Sequence, residues 1–178
     1  WGAKGADVFT HAVNWKPVAV LAGANIAAQY FFFYRGLDLV AQAGAGSIGY
    51  PIVLGKLEGK RRDVVLFGLE AHDWTEKQVK AGVYAADIAK QFYKFYVENG
   101  YKDNFVYGPL HGTGMIEVEA PWVETSSTYN LQPNMTFQID TYISTATFGV
   151  RWEKGIAVTE AGCDVLSAPI GKLYELEF

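Results

Sequence analysis

Two hydrophobic periods follow one another along this chain, and their order restricts the fold more than any other feature. From Ala85 to Glu98 apolar residues return at helical spacing, with Ile88, Phe92, Phe95 and Tyr96 on one face. Asn99-Gly100 then supplies a stop, since one of the pair must take a positive φ. From Met135 to Ile143 the period changes to two. Phe137, Ile139 and Thr141 fall on one side, and Gln138, Asp140 and Tyr142 on the other. Phe148 to Glu153 repeats the pattern, Val150 and Trp152 opposing Arg151 and Glu153, and Gly155 to Val158 is expected to resume it after a break. An earlier helix is expected over 60–79, with Val65, Leu66, Leu69 and Ala71 as a partial stripe and Ala81-Gly82 as its end. His72 falls inside that helix, in a structural or exposed place. Short strands are expected at 18–21 and 38–41, between turn signals. Small strands, two helices and then antiparallel strands make an α+β pattern, not a βαβ repeat.

Composition narrows the function. Half of the 178 residues are hydrophobic and the net charge is only −4, which excludes a disordered tail. No stripe of Lys and Arg exists to displace counterions from nucleic acid. The apolar stretch from Val18 to Tyr34 is interrupted by Gly23, Asn25 and Gln29 and is too short to span a membrane. The first ten residues lack the basic and apolar regions of a signal peptide. Cys163 has no partner for an internal disulfide and no neighbouring His to activate it, so it reads as a small half-buried residue. These features give the expectation of a single cytoplasmic domain over 1–178, with neither nucleic acid nor membrane as a partner.

Candidate chemistry gathers in the second half. His111 lies in Leu110-His111-Gly112-Thr113-Gly114, where two glycines allow close approach of a ligand. Glu117, Glu119, Asp140 and Glu153 are carboxylates in or beside apolar stretches. If the strands around 140 and 153 pair, Asp140 and Glu153 project from one face of adjacent strands. Two such carboxylates repel unless a metal cation, an arginine or a shared proton separates their charge. Arg151 has the parity of Glu153 and supplies the second remedy. The same residues are equally read as an Arg–carboxylate pair on a solvated sheet face.

Taken in order, these segments resemble the creatinase/aminopeptidase P family, the pita-bread hydrolases. The resemblance rests on Leu110-His111-Gly112-Thr113-Gly114, Glu119-Ala120-Pro121, Leu131-Gln132-Pro133-Asn134-Met135, Ile139-Asp140-Thr141, Gly149-Val150-Arg151-Trp152-Glu153 and Val158-Thr159-Glu160-Ala161-Gly162. It is strongest over 58–168. It implies a curved antiparallel sheet flanked by helices, here with an abbreviated first half. It also implies a divalent metal held by His111, Asp140 and Glu153, with Asp140 standing where Glu is usual. Of the five usual ligand places two are altered: Gln42 and Val53 occupy the positions expected for Asp, so the two-metal centre is doubtful. Val118 replaces a second histidine, and Lys56 stands where Arg is usual.

The favoured reading is therefore a metallopeptidase-like hydrolase of the Xaa-Pro aminopeptidase/dipeptidase or creatinase type, acting on a peptide or amidine-like C–N bond. His111 and Glu119 are its catalytic candidates. His111, Asp140 and Glu153 would hold one Mn, Zn, Fe or Co ion, and Arg151, Trp122 and Tyr142 would contact a small-molecule or short-peptide substrate. Two alternatives follow from the altered positions: a non-catalytic binding protein with the same fold, or a branch with lyase activity on a small cationic compound. The resemblance further implies a homodimer or an additional N-terminal domain.

Overall fold

The computed structural model describes residues 49–167 and 172–176, all within the compact unit Gln42–Phe178. The strands expected at 18–21 and 38–41, and Gln42, lie outside the described residues. The elements are β1 (Ile52–Leu54), α1 (Gly59–Gln78), α2 (Ala85–Glu98), a 3-10 turn (Lys102–Asn104), β2 (Leu110–Gly112), β3 (Glu119–Val123), β4 (Thr136–Ser144), β5 (Gly149–Val158), β6 (Cys163–Val165) and β7 (Tyr174–Leu176). Five strands form one antiparallel sheet in the order β3-β2-β4-β5-β6, while β1 pairs with β7 in parallel. The expected α+β architecture is the observed one.

The C-terminus of α2 shows how local chemistry sets a boundary. Gly100 takes φ 80°, its N–H donates to the Val97 carbonyl at 3.2 Å, and Tyr101 N–H donates to the Tyr96 carbonyl at 2.8 Å. Two otherwise orphaned helix carbonyls are thereby satisfied. The turn also aims Tyr101 back at α1, where its ring stacks on Phe67 with centroids 3.9 Å apart. Phe92 and Tyr96 are fully buried between α1 and the sheet, beside Phe67, Ala71 and Ile143. Burying side chains of this size contributes about 1.5–3 kcal/mol each. Farther along the sheet, Ile88 and Ala89 of α2 meet Phe137, Ile139, Ile156 and Val158, and Val65 and Leu69 of α1 meet Trp152. Both helices thus cover one face, the one carrying Ile139, Ile143, Trp152 and Ile156. Residues of the other parity, Asp140, Arg151 and Glu153 among them, face away from the helices.

The expected break near Gly155 is absent, and β5 runs unbroken to Val158. Lys154 belongs to the helix-covered face and is buried there, so it interrupts the apolar alternation without interrupting the strand. Its ammonium lies 2.5 Å from Glu76 Oε2 and 3.5 Å from Asp73 Oδ1 of α1. Gly155 keeps its backbone bonded through Ser167 Oγ at 3.0 Å. Beside them His72 is 2% exposed, which settles the choice between a structural and an exposed place. Burial, with a smaller contribution from Lys154, lowers its pKa to about 3.

A buried neutral imidazole makes stability depend on pH with a definite sign. His72 contributes fully above its unfolded pKa of about 6.5, and that contribution is lost as pH falls toward the folded value, at about 1.4 kcal/mol per pH unit. His72→Leu, with no group to titrate, should lose less stability than the parent between pH 6.5 and 4.5, by roughly 2 kcal/mol in urea unfolding. Parallel stability curves for the two proteins would contradict this.

Candidate metal centre

The strand register builds the site. In the β4–β5 ladder Asp140 lies directly opposite Glu153 and Tyr142 opposite Arg151. On the other side of β4, His111 of β2 pairs with Gln138, and across β2 it pairs with Trp122 of β3. The register therefore gathers an imidazole, two carboxylates and a guanidinium on the face turned away from the helices. Two close approaches keep this arrangement open. A Cβ at Gly49, which bridges to Glu153, would overlap the Glu153 carboxylate. A Cβ at Gly112 would lie 2.7 Å from the Ala120 carbonyl oxygen, where the β2–β3 register shifts.

His111, Asp140 and Glu153 each offer one ligating atom, and these atoms all lie within 4.8 Å of one another. His111 Nδ1 sits 3.0 Å from the Gly112 carbonyl oxygen, a contact in which it can only donate. In the neutral ring, Nε2 then carries the lone pair. That atom is buried, makes no hydrogen bond, and faces Asp140 Oδ2 at 3.9 Å. Two acceptors confront each other with no donor between them, which is the arrangement a cation satisfies. The donor set of one imidazole and two carboxylates, with a donating bond fixing the ring, suits a divalent transition metal.

The carboxylates are held by named partners. Tyr107 places its hydroxyl 2.9 and 2.8 Å from the two Asp140 oxygens; a single proton makes this one forked bond. Arg151 Nε lies 3.4 Å from Asp140 Oδ1, and its Nη1 lies 3.5 Å from Glu153 Oε1. The guanidinium also sits 6.0 and 5.7 Å from the ring centres of Tyr107 and Tyr142. Burial raises the Asp140 pKa, against the Tyr107 bond and the Arg151 charge. Burial, and then the Asp140 charge, pushes Glu153 up to about 7. The Asp140 and Glu153 side chains are 8% and 10% exposed, so this is no solvated surface pair.

Among the expected site residues the structure brings His111, Asp140, Glu153 and Arg151 together. Tyr142 adjoins through Arg151, and Trp122, half exposed, lies with its ring centre 6.0 Å from that of His111. Glu119 is engaged elsewhere: its carboxylate accepts the N–H groups of Met115 and Ile116, both at 3.3 Å, and closes its own loop. Val53 contributes no ligand; it lines an apolar cleft of about 240 Å³ with Ile52, Leu57, Val65 and Val150. Tyr107 escaped the sequence reading because it lies in an irregular segment, where periodicity says nothing of direction.

The sequence profile of metallopeptidase family M24 matches residues 37–160. The chain belongs to metallopeptidase family M24. No curated protein is matched by sequence. Among solved structures this M24 chain is similar to the Xaa-Pro dipeptidase from Bacillus anthracis (TM-score 0.69, 27% identity, 75% of this chain and 38% of that one). It is also similar to the X-Pro aminopeptidase from Thermotoga maritima MSB8 (0.66, 25%, 70% and 36%) and to the prolidase from Pyrococcus furiosus (0.63, 28%, 67% and 36%). The chain thus spans little more than a third of the length of these proteins. The expected pita-bread family and α+β class are both confirmed, and no described helix is long and apolar enough to cross a membrane.

Two outcomes follow from the geometry. In metal-free protein Glu153 is more costly ionised than protonated. Its stabilising, protonated state is complete below the ordinary carboxylate pKa and lost as pH rises through about 7. Glu153→Gln should therefore raise the urea midpoint at pH 8 relative to the parent and change it little at pH 4; an equal effect at both would contradict this. Tyr107→Phe removes the hydroxyl that donates to Asp140 and should destabilise the protein at pH 8 by about 1.5–3 kcal/mol, measured by the same unfolding; no loss would contradict the bond.

Proposed function

We propose that the chain is a hydrolase of the creatinase/Xaa-Pro peptidase type, cleaving a peptide or amidine-like C–N bond, with one divalent cation held by His111, Asp140 and Glu153. The carrying observation is the unpartnered, buried Nε2 of His111 facing two carboxylates. Mn, Zn, Fe or Co each suits the donor set. Membership of M24 and the similarity to Xaa-Pro-cleaving proteins support the bond class. A bound cation there supplies Lewis-acid polarisation of a substrate carbonyl.

The chain's own groups do the rest by position. Gly112 fixes the His111 tautomer so that Nε2 points at the site. Tyr107 orients the Asp140 carboxylate. Arg151 offsets the charge of both acids. Trp122 offers a half-exposed aromatic wall beside His111, which suits a flat apolar substrate group such as a proline ring, and Tyr142 backs Arg151. Glu119, through the N–H groups it holds, shapes the 113–119 loop at the site's border and in this reading acts by positioning, not by proton transfer. We assign the protein to a reducing, cytoplasmic setting on its lone Cys163, and its working form to a homodimer.

One observation favours a second reading, a fold kept for binding alone: Val53 lies in an apolar cleft and gives no ligand. Elemental analysis and assay against Xaa-Pro dipeptides separate the two. The hydrolase reading expects metal in the purified chain and turnover, with metal affinity down roughly 100-fold or more in His111→Ala and turnover lost in parallel. A chain with no metal affinity, or one indifferent to His111→Ala, would contradict it and leave the binding reading.

A further inference from the structure

We propose that the apolar cleft beside β1 is a binding site separate from the metal centre, taking a small carboxylic acid with a compact apolar tail. The cleft encloses about 240 Å³ and is walled by Val53, Leu57, Val65, Phe148 and Val150. Val65 of α1 and Val150 of β5 pack into the core beneath the helices, with Leu57 and Phe148 against the same cluster. Val150 alternates with Arg151 along β5, so the cleft lies on the side of that strand away from His111, Asp140 and Glu153. Burying a hydrocarbon tail against these walls supplies the attraction, about 25 cal/mol for each Å² removed from water. The volume falls below the roughly 300–1,000 Å³ of clefts that hold drug-sized compounds, so the tail is short.

Charge fixes the other end of the ligand. Arg61, exposed in the first turn of α1, also lines the cleft. The acids around it are already engaged. Glu58 meets Lys56 Nζ at 3.0 Å, and Glu175 meets Arg62 Nη1 at 2.6 Å while accepting the Leu57 N–H at 2.8 Å. The first turn of α1 carries no acid. Among the described residues Arg61 therefore stands without an ion pair or a hydrogen bond, a permanent cation beside an apolar hollow. A guanidinium offers a carboxylate two parallel N–H donors, a fork that a neutral amide cannot match. Thr147, from the turn between β4 and β5, adds a hydroxyl to the lining. A cationic ligand is repelled by Arg61 and a neutral one forgoes the ion pair, which leaves an apolar tail with one anionic group.

The test is methyl-resolved nuclear magnetic resonance of the full chain titrated with isocaproate. Saturable shifts are expected at the methyl groups of Val53, Val65 and Val150, with none at Val123 of β3. Isocaproamide, which keeps the tail and lacks the charge, should bind about fivefold more weakly, the upper end for an exposed ion pair. Acetate, which keeps the charge and lacks the tail, should give no saturable shift. Arg61→Gln should abolish the preference for acid over amide, and Arg61→Lys should keep part of it; the residue is exposed, so both variants should fold. Equal binding of acid and amide by the parent, a preference that survives Arg61→Gln, or shifts confined to the surroundings of His111 would overturn the inference. So would the lack of any saturable shift at tens of millimolar isocaproate, the outcome expected if another segment of the chain fills the cleft.

Discussion

Directly opposed residues on paired antiparallel strands have their side chains about 5 Å apart, and two acids so placed cannot both be charged without a positive neighbour. Asp140 and Glu153 occupy such positions. Much of the site can be read as the answer to that conflict. Arg151 lies against both, Tyr107 bonds one, and burial holds both carboxyl groups above their ordinary pKa. An arginine alone leaves the cluster one positive charge short and the His111 lone pair without a partner. That residual demand is one that a bound cation, as proposed above, would answer.

The fold exists in part to hold this demand rigidly. A polar cluster of this kind would relax into water if the strands could slip. A one-residue slip would send Trp152 and Ile139 to the site and Glu153 to the helices. The apolar face prevents it: Phe137, Ile139 and Ile156 are fully buried under α2, and Trp152 under α1. Stability on one face of the sheet therefore sets precision on the other. Lys154 shows the cost of exceptions, since its ammonium on the apolar face requires both Asp73 and Glu76.

How much of this could be read from the sequence differed with the kind of residue. The α2 stripe and its Asn99-Gly100 stop were legible because spacing and turn chemistry are local. The pairing of Asp140 with Glu153 was legible because the strands alternate cleanly on either side of a short turn. The continuity of β5 was not, because a lysine at an inward position reads as an interruption until its acids on α1 are known. Tyr107 was not, because nothing periodic fixes an irregular segment. Glu119 was read as a catalytic candidate from its motif; that its carboxylate accepts the N–H groups of Met115 and Ile116 is a local hydrogen-bond choice that a motif does not show.

The central claim is that a cation belongs between His111, Asp140 and Glu153. Anomalous diffraction from crystals equilibrated with manganese tests it most directly. A single anomalous peak at bonding distance from His111 Nε2 and from an oxygen of each carboxylate is the predicted result. A peak elsewhere, or none near these atoms, would contradict it.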